Sequence, residues 1–321
     1  MKRITRHLLS DLIQYDYIIQ SERMFIMRIM ENEILKITVA DLGAELCSVY
    51  DKETEAERIW DANPAIWNRH APLLFPFVGK VNHGNYRVGE TEYDMQALHG
   101  FARDMMFTLI EESAHAVTHR LCSTKDTLEI YPFSFELLVT HHLDENNPRM
   151  LHVTWAVKNT GSNTMYFSIG AHPGFALPIS DTEEREDYYL EFPGKEQLTY
   201  LSANPANGLV DASHPKTMHL DGGFVKYFDD IYDTFIFDFQ EIDTVRIARP
   251  DKTPYVTVYC VGFPLLGIWT HPNGGNFICL EPWFGRADNE GFNGTIAEKV
   301  AVQKLEPRCS QQMTYAMEFH K

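Results

Sequence analysis

From Ile34 onward, apolar and β-branched residues come in short runs of strand length, each closed by Gly, Pro, Asn or Asp. That punctuation constrains the fold more than any other feature, because parallel βαβ units need a crossover helix between strands and helical periodicity is scarce here. Residues 135–143, the polar turn Asp144-Glu145-Asn146-Asn147-Pro148 and residues 151–157 predict a hairpin. After Asn159-Thr160-Gly161-Ser162-Asn163 the chain returns through residues 165–169, which extends the hairpin into a meander. Runs over residues 234–237, 255–261, 267–270 and 277–280 continue the pattern. The fold class expected is all-β, a sandwich. A length of 321 residues allows two domains, yet no repeat, low-complexity tract or linker marks a boundary, so one domain over residues 31–321 is expected. Residues 1–30 read differently. Leu8, Leu9, Leu12 and Ile13, with residues 16–19, make an apolar helical stripe, while Met24, Met27 and Met30 are each an alternative start. The segment is expected to be a short helical appendage or upstream sequence without a function.

The formal net charge of −17 repels phosphate backbones and anionic lipid, and no Lys/Arg cluster offsets it locally, so nucleic acid and membrane are excluded as partners. Apolar runs fall far short of the roughly 20 residues that a membrane helix needs, and Asp11, Asp16 and Glu22 interrupt the first segment, so neither a signal peptide nor an anchor is expected. The five cysteines are odd in number, widely spaced and free of CxxC pairs, which points to reduced thiols in a cytoplasm and not to disulfides or zinc. His141 and His142 fall on opposite faces of a predicted strand and cannot share a metal. Gly222-Gly223 and Gly274-Gly275 are turn glycines, no phosphate-loop motif occurs, and no cofactor is expected.

Three local constellations carry candidate chemistry. Glu281 ends an apolar run in Cys279-Leu280-Glu281-Pro282-Trp283-Phe284-Gly285. A glutamate there is either half-buried with a raised pKa, suited to accepting a proton, or the first solvated residue after a strand. Trp283 is either an apolar platform for a sugar ring or a packing residue. His172, in Gly170-Ala171-His172-Pro173-Gly174-Phe175, sits where a strand ends and the backbone turns; it either points into a cleft or is satisfied by backbone hydrogen bonds. His99 and Arg103 put an imidazole and a permanent cation within one loop, suited to sugar hydroxyls; alternatively His99 packs in the core and Arg103 pairs with a carboxylate near Asp104.

In chain order, Leu42-Gly43-Ala44-Glu45-Leu46, Leu74-Phe75-Pro76-Phe77-Val78-Gly79-Lys80, His99-Gly100-Phe101-Ala102-Arg103, His172-Pro173-Gly174-Phe175, Asp233-Thr234-Phe235-Ile236-Phe237 and Glu281-Pro282-Trp283-Phe284-Gly285 resemble the aldose 1-epimerase (galactose mutarotase) superfamily, in its bacterial LacX-like branch. The resemblance runs from about Ile34 to the C-terminus. It implies a galactose-mutarotase-like β-sandwich (supersandwich) with an open cleft for a free hexose and no metal or organic cofactor. It further implies His172 as general acid, Glu281 as general base and His99 as a hydrogen-bond donor near the ring oxygen. Asp233 resembles the acidic residue that binds sugar hydroxyls, Arg103 and Trp283 resemble cleft residues, and Lys80 stands where many relatives carry arginine. Acid and base are then expected on opposite sides of the anomeric centre.

Three alternatives stay open at this level. A sugar-binding or sugar-sensing protein on the same sandwich would not need the Glu281/His172 pair. A glycoside hydrolase would need a second carboxylate about 5–9.5 Å away, for which Asp288 is the nearby candidate, although Arg286-Ala287-Asp288-Asn289 reads as a turn. A hexose-6-phosphate epimerase would need Arg69, Lys80, Arg103 and Arg286 to converge on a phosphate. The chain is expected to act as a monomer or homodimer.

Overall fold

The computed structural model describes residues 26–178, 182–226, 234–271 and 274–321. Two large antiparallel sheets face one another. The hairpin expected around residues 144–148 is present: Phe135–Leu143 pairs with Met150–Asn159 in continuous register, Leu143 opposite Leu151 and Phe135 opposite Asn159. These two strands lie within a nine-stranded sheet that also holds Thr244–Ala248, Pro254–Tyr259 and Ser310–Phe319. A seven-stranded sheet carries Gln197–Ala203, Val210–His219, Phe235–Asp238, Leu265–Trp269, Phe277–Phe284 and the two-residue strand Ile169–Gly170; Gly174–Ala176 also pairs with Phe277–Phe284.

Period-2 alternation explains how the sheets meet. From the nine-stranded sheet, Phe135, Leu137, Val139, Leu151, Val153, Trp155, Val157, Met313, Tyr315 and Met317 enter the main hydrophobic core. From the seven-stranded sheet, Phe235, Phe237, Leu266, Ile268, Ile278 and Leu280 enter it from the other side. The single short α-helix among the described residues, Lys125–Ile130, is capped by Thr124, whose hydroxyl accepts from the Thr127 N–H. All five cysteines are free. Among the described residues no helix is long and apolar enough to cross a membrane.

The sheet structure begins ahead of the boundary expected at residue 31. Met27–Glu31 is a strand paired with Leu35–Ala40 in a separate four-stranded sheet, and its Met30 is buried in the main core. Two methionines and an isoleucine do not distinguish helix from strand locally; pairing with the next strand decides it. The helical stripe expected at residues 8–19 lies outside the described residues.

His141 and His142 do fall on opposite faces: His141 is buried and His142 half-buried. Burial pushes the His141 imidazole down to about 3, helped by nearby His119. An unfolded chain would protonate it near 6.5, so this histidine's contribution to stability is intact above about pH 6.5 and lost as pH falls toward 3. We expect His141→Leu to lower the slope of unfolding free energy against pH by about 1.4 kcal/mol per pH unit in the acid range, measured as urea midpoints; an unchanged slope would show that His141 is not buried in its neutral form.

Candidate active site

Phe277–Phe284 is buried along nearly all its length because each of its faces meets apolar structure. Ile278 and Leu280 point into the main core, while Phe277, Cys279 and Trp283 belong to two smaller clusters on the opposite face. Glu281 shares that second face by alternation and lines a cavity of about 310 Å³ together with Trp283, His172, His99 and Arg103. Thus a carboxylate stands in a row of apolar residues, 1 % exposed.

Register brings the histidine to it. Gly170 pairs with Trp283 and Gly174 with Cys279, so the loop between them sets His172 opposite Glu281. The His172 Nε2 lies 3.3 Å from a Glu281 carboxyl oxygen. Trp67 and Trp269 both pack on the imidazole, with ring centroids 5.1 Å and 5.3 Å away and 5.3 Å from each other, so the three rings form one cluster. Burial pushes Glu281 well above the usual carboxylate range, with the Trp283 side chain pulling more weakly the other way. Burial, then the positive charge of Arg103, pushes His172 down to about 3. At neutral pH the pair therefore holds one proton between them, and the low dielectric favours the form in which neither carries charge. Both Glu281 oxygens lack a hydrogen-bond partner, as does the His172 Nδ1.

His99 is fixed by its backbone. Its φ is +65° and that of Gly100 is +72°, two successive left-handed residues that turn the chain back on itself. A Cβ at Gly100 would lie 2.4 Å from the Phe75 carbonyl oxygen, so glycine is required there. The Gly79 N–H donates to the His99 Nδ1 at 2.9 Å. With Nδ1 accepting, the neutral ring carries its proton on Nε2, and burial, together with the positive charge of Arg103, keeps it neutral. The His99 and His172 rings meet edge to face at 5.4 Å.

Trp283 is seated on two glycines. A Cβ at Gly170 would lie 2.4 Å from its ring, and one at Gly267 would lie 2.3 Å from it. The indole N–H donates to the Ala171 carbonyl at 3.2 Å. Trp283 therefore packs the sheet and also lines the cavity.

Other expected site residues fall differently. Asp233 lies outside the described residues. Lys80 is not among those lining the cavity; its stem borders Gly208, and its carbonyl accepts from the Asp288 N–H. Asp288 is buried and forms an ion pair with Lys299 while accepting from the Asn82 N–H, so it is a structural tie and lines a separate depression. Glu281 is the one carboxylate among the described residues lining the cavity. The basic residues do not converge: Arg286 is clamped onto Asp238, Arg69 pairs with Asp104, and Arg103 alone of the four lines the cavity. Sequence reasoning passed over Trp67, Thr234, Trp269 and His271, which also line it. Trp269 was legible in principle, two residues from Gly267 on the same strand face; Trp67 sits in an irregular segment with no periodicity to orient it. A ring nitrogen of His172, the Cys279 Sγ and a Glu281 carboxyl oxygen lie within 4.8 Å of one another, a donor group that no sequence motif announced.

Two packed antiparallel sheets with a buried carboxyl–imidazole pair at an aromatic-lined cavity define a β-sandwich protein with a candidate small-molecule site. The family model for aldose 1-epimerase matches residues 27–291, and the chain belongs to that family, on its LacX-like branch. It is 32 % identical to the plasmid-encoded protein LacX of Lactococcus lactis subsp. lactis over 89 % of this chain and 97 % of that one. A galactose mutarotase related enzyme from Lactobacillus acidophilus superposes with a TM-score of 0.84 at 30 % identity, covering 92 % of this chain and 98 % of that one. A galactose mutarotase-like protein from Lactobacillus casei gives 0.82 at 29 % identity, over 92 % of this chain and all of that one.

The glycine seat of Trp283 is testable. Gly267→Ala should destabilise the protein by about 1–3 kcal/mol, read from the urea midpoint, because the added methyl overlaps the indole; wild-type stability would show that Trp283 does not rest there.

Proposed function

We propose that this protein interconverts the α and β anomers of an unphosphorylated hexose, with His172 as general acid and Glu281 as general base. The observation that carries this reading is the Glu281 carboxyl: 1 % exposed, without a hydrogen-bond partner, and in contact with an imidazole at a cavity of monosaccharide scale. A group so placed is destabilised until a ligand supplies hydroxyls.

The anomeric hydroxyl and the ring oxygen of a pyranose are borne by one carbon, so two adjacent groups can each reach one of them. The pair is in direct contact and not spread to either side, and sugar entry parts it. Glu281, ionised as the proton settles on His172, takes the proton of the anomeric hydroxyl. His172 gives its proton to the ring oxygen as the carbon–oxygen bond breaks. The open chain rotates about C1–C2, the ring closes on the other face of the aldehyde, and the protons return. The His99 Nε2–H donates to the oxygen on which charge develops. Arg103 and Asp233 bind hydroxyls, Trp283 with Trp67 and Trp269 supplies apolar faces for the ring, and Lys80 acts from the rim. Arg103 being the one guanidinium or ammonium among the described lining residues argues for a neutral sugar over a sugar phosphate.

Glu281→Gln keeps the shape and removes the base. Anomer exchange on glucose and galactose, followed by saturation-transfer NMR, should fall by about 10²–10⁴-fold in a folded protein; turnover at the wild-type rate would refute the assignment. Glucose 6-phosphate should be exchanged no faster than the neutral sugars. The pH profile of kcat/KM should stay level below 6.5 and fall only toward about 3, where His172 takes a second proton and Glu281 ceases to be available as a base. It should fall again at alkaline pH as the shared proton leaves. A decline centred near 6.5 would contradict the buried, neutral state of the imidazole.

A further inference from the structure

Cys279 has no part in ring opening. It is fully buried two residues before Glu281 on the same strand face, within the cluster formed by Trp60 and Phe277. We propose that His172, Cys279 and Glu281 together form a binding site for a thiophilic divalent cation such as zinc, and that the bound cation blocks the cavity to sugar.

The donor set is one nitrogen, one sulfur and one carboxylate oxygen, the combination that suits Zn²⁺ and its neighbours and not the hard oxygen-seeking cations. Its atoms lie within 4.8 Å of one another, and among the described residues no other three-donor group of His, Cys, Asp or Glu comes so close. Tetrahedral bonds of about 2.0–2.3 Å imply donor separations of about 3.3–3.8 Å, so side-chain shifts of about 1 Å complete the site. Backbone pairing already fixes the three carriers: Cys279 opposite Gly174, Glu281 opposite the loop holding His172. The unpartnered, buried Glu281 oxygens are a second and independent sign that a ligand belongs there. His172 and Glu281 line the cavity, which gives the ion its route of entry and water its access to complete the shell.

Proton and charge balance favour the exchange. Without metal the three side chains hold two protons, one on the Cys279 thiol and one shared by His172 and Glu281, and the site is neutral. A divalent cation releases both protons to solvent and leaves one thiolate, one carboxylate and a neutral imidazole, so the buried charge again sums to zero. Cation binding rests only on this geometry; inhibition rests also on the proposed function.

The test uses the full chain, freed of metal by chelator and titrated with Co²⁺, which reports coordination by its spectrum. The wild type should bind one ion per chain with a thiolate-to-cobalt charge-transfer band and the strong visible bands of tetrahedral geometry. Cys279→Ser, checked for folding by circular dichroism, should lose the charge-transfer band and bind at least about tenfold more weakly. No binding by the wild type, or the same spectrum and affinity in Cys279→Ser, would overturn the site. Equimolar Zn²⁺ should suppress anomer exchange in the wild type, and exchange that persists with zinc bound would overturn the inhibition. Metal binding without any sugar turnover would uphold the site and count against the proposed function.

Discussion

The structure depends on one strand having two dry faces. Phe277–Phe284 lies between the main core and the cavity, and a single period-2 alternation assigns its residues to one or the other. Its neighbour Leu265–Trp269 divides in the same way, with Leu266 and Ile268 in the core and Leu265 on the cavity side. Phe235 and Phe237 also enter the core while Ile236 lines the cavity. The floor of the cavity is therefore the back of the sandwich core. A one-residue slip in Phe277–Phe284 would exchange its two sets and put Glu281 among core side chains.

That placement sets the electrostatics. In water a carboxyl and an imidazole at 3.3 Å would form an ion pair; at this depth desolvation opposes both charges, and the proton stays where neither group is ionised. The neighbouring polar groups are tied more firmly. His99 has its tautomer set by the Gly79 amide, and Arg286 is held against Asp238. These groups are fixed donors, whereas the Glu281 carboxyl is, among the described residues, the buried one left without a hydrogen-bond partner.

Much of the sheet content was legible because alternation and turn chemistry are local signals: residues 135–157 formed a hairpin at the turn that Asp144 to Pro148 marked. The family could likewise be read from ordered motifs. What the local pattern left open was the state of Glu281, since burial of a residue at the end of an apolar run depends on what covers it. The contact between Glu281 and His172 joins residues more than a hundred positions apart through strand register, which no window of sequence contains. Asp288 read only as part of a turn because its partner Lys299 is drawn in from a separate loop. The convergence suggested for Arg69, Lys80, Arg103 and Arg286 failed for a similar reason: acidic partners at Asp104 and Asp238 had prior hold on two of them. Residues 27–30 were assigned to the leading segment because only the pairing of Met27–Glu31 with Leu35–Ala40 shows them to belong to a strand.

The single proton shared by His172 and Glu281 has a consequence for how the protein meets its ligand. Whichever partner holds that proton, the reactive pair has no net charge, although the chain around it carries −17. A neutral sugar approaching such a site is neither drawn nor repelled by the surrounding field. Its capture is a matter of shape and hydroxyl placement, indifferent to ionic strength over the range in which the protein stays folded. An anionic ligand, by contrast, would approach against the field of the chain's net charge of −17.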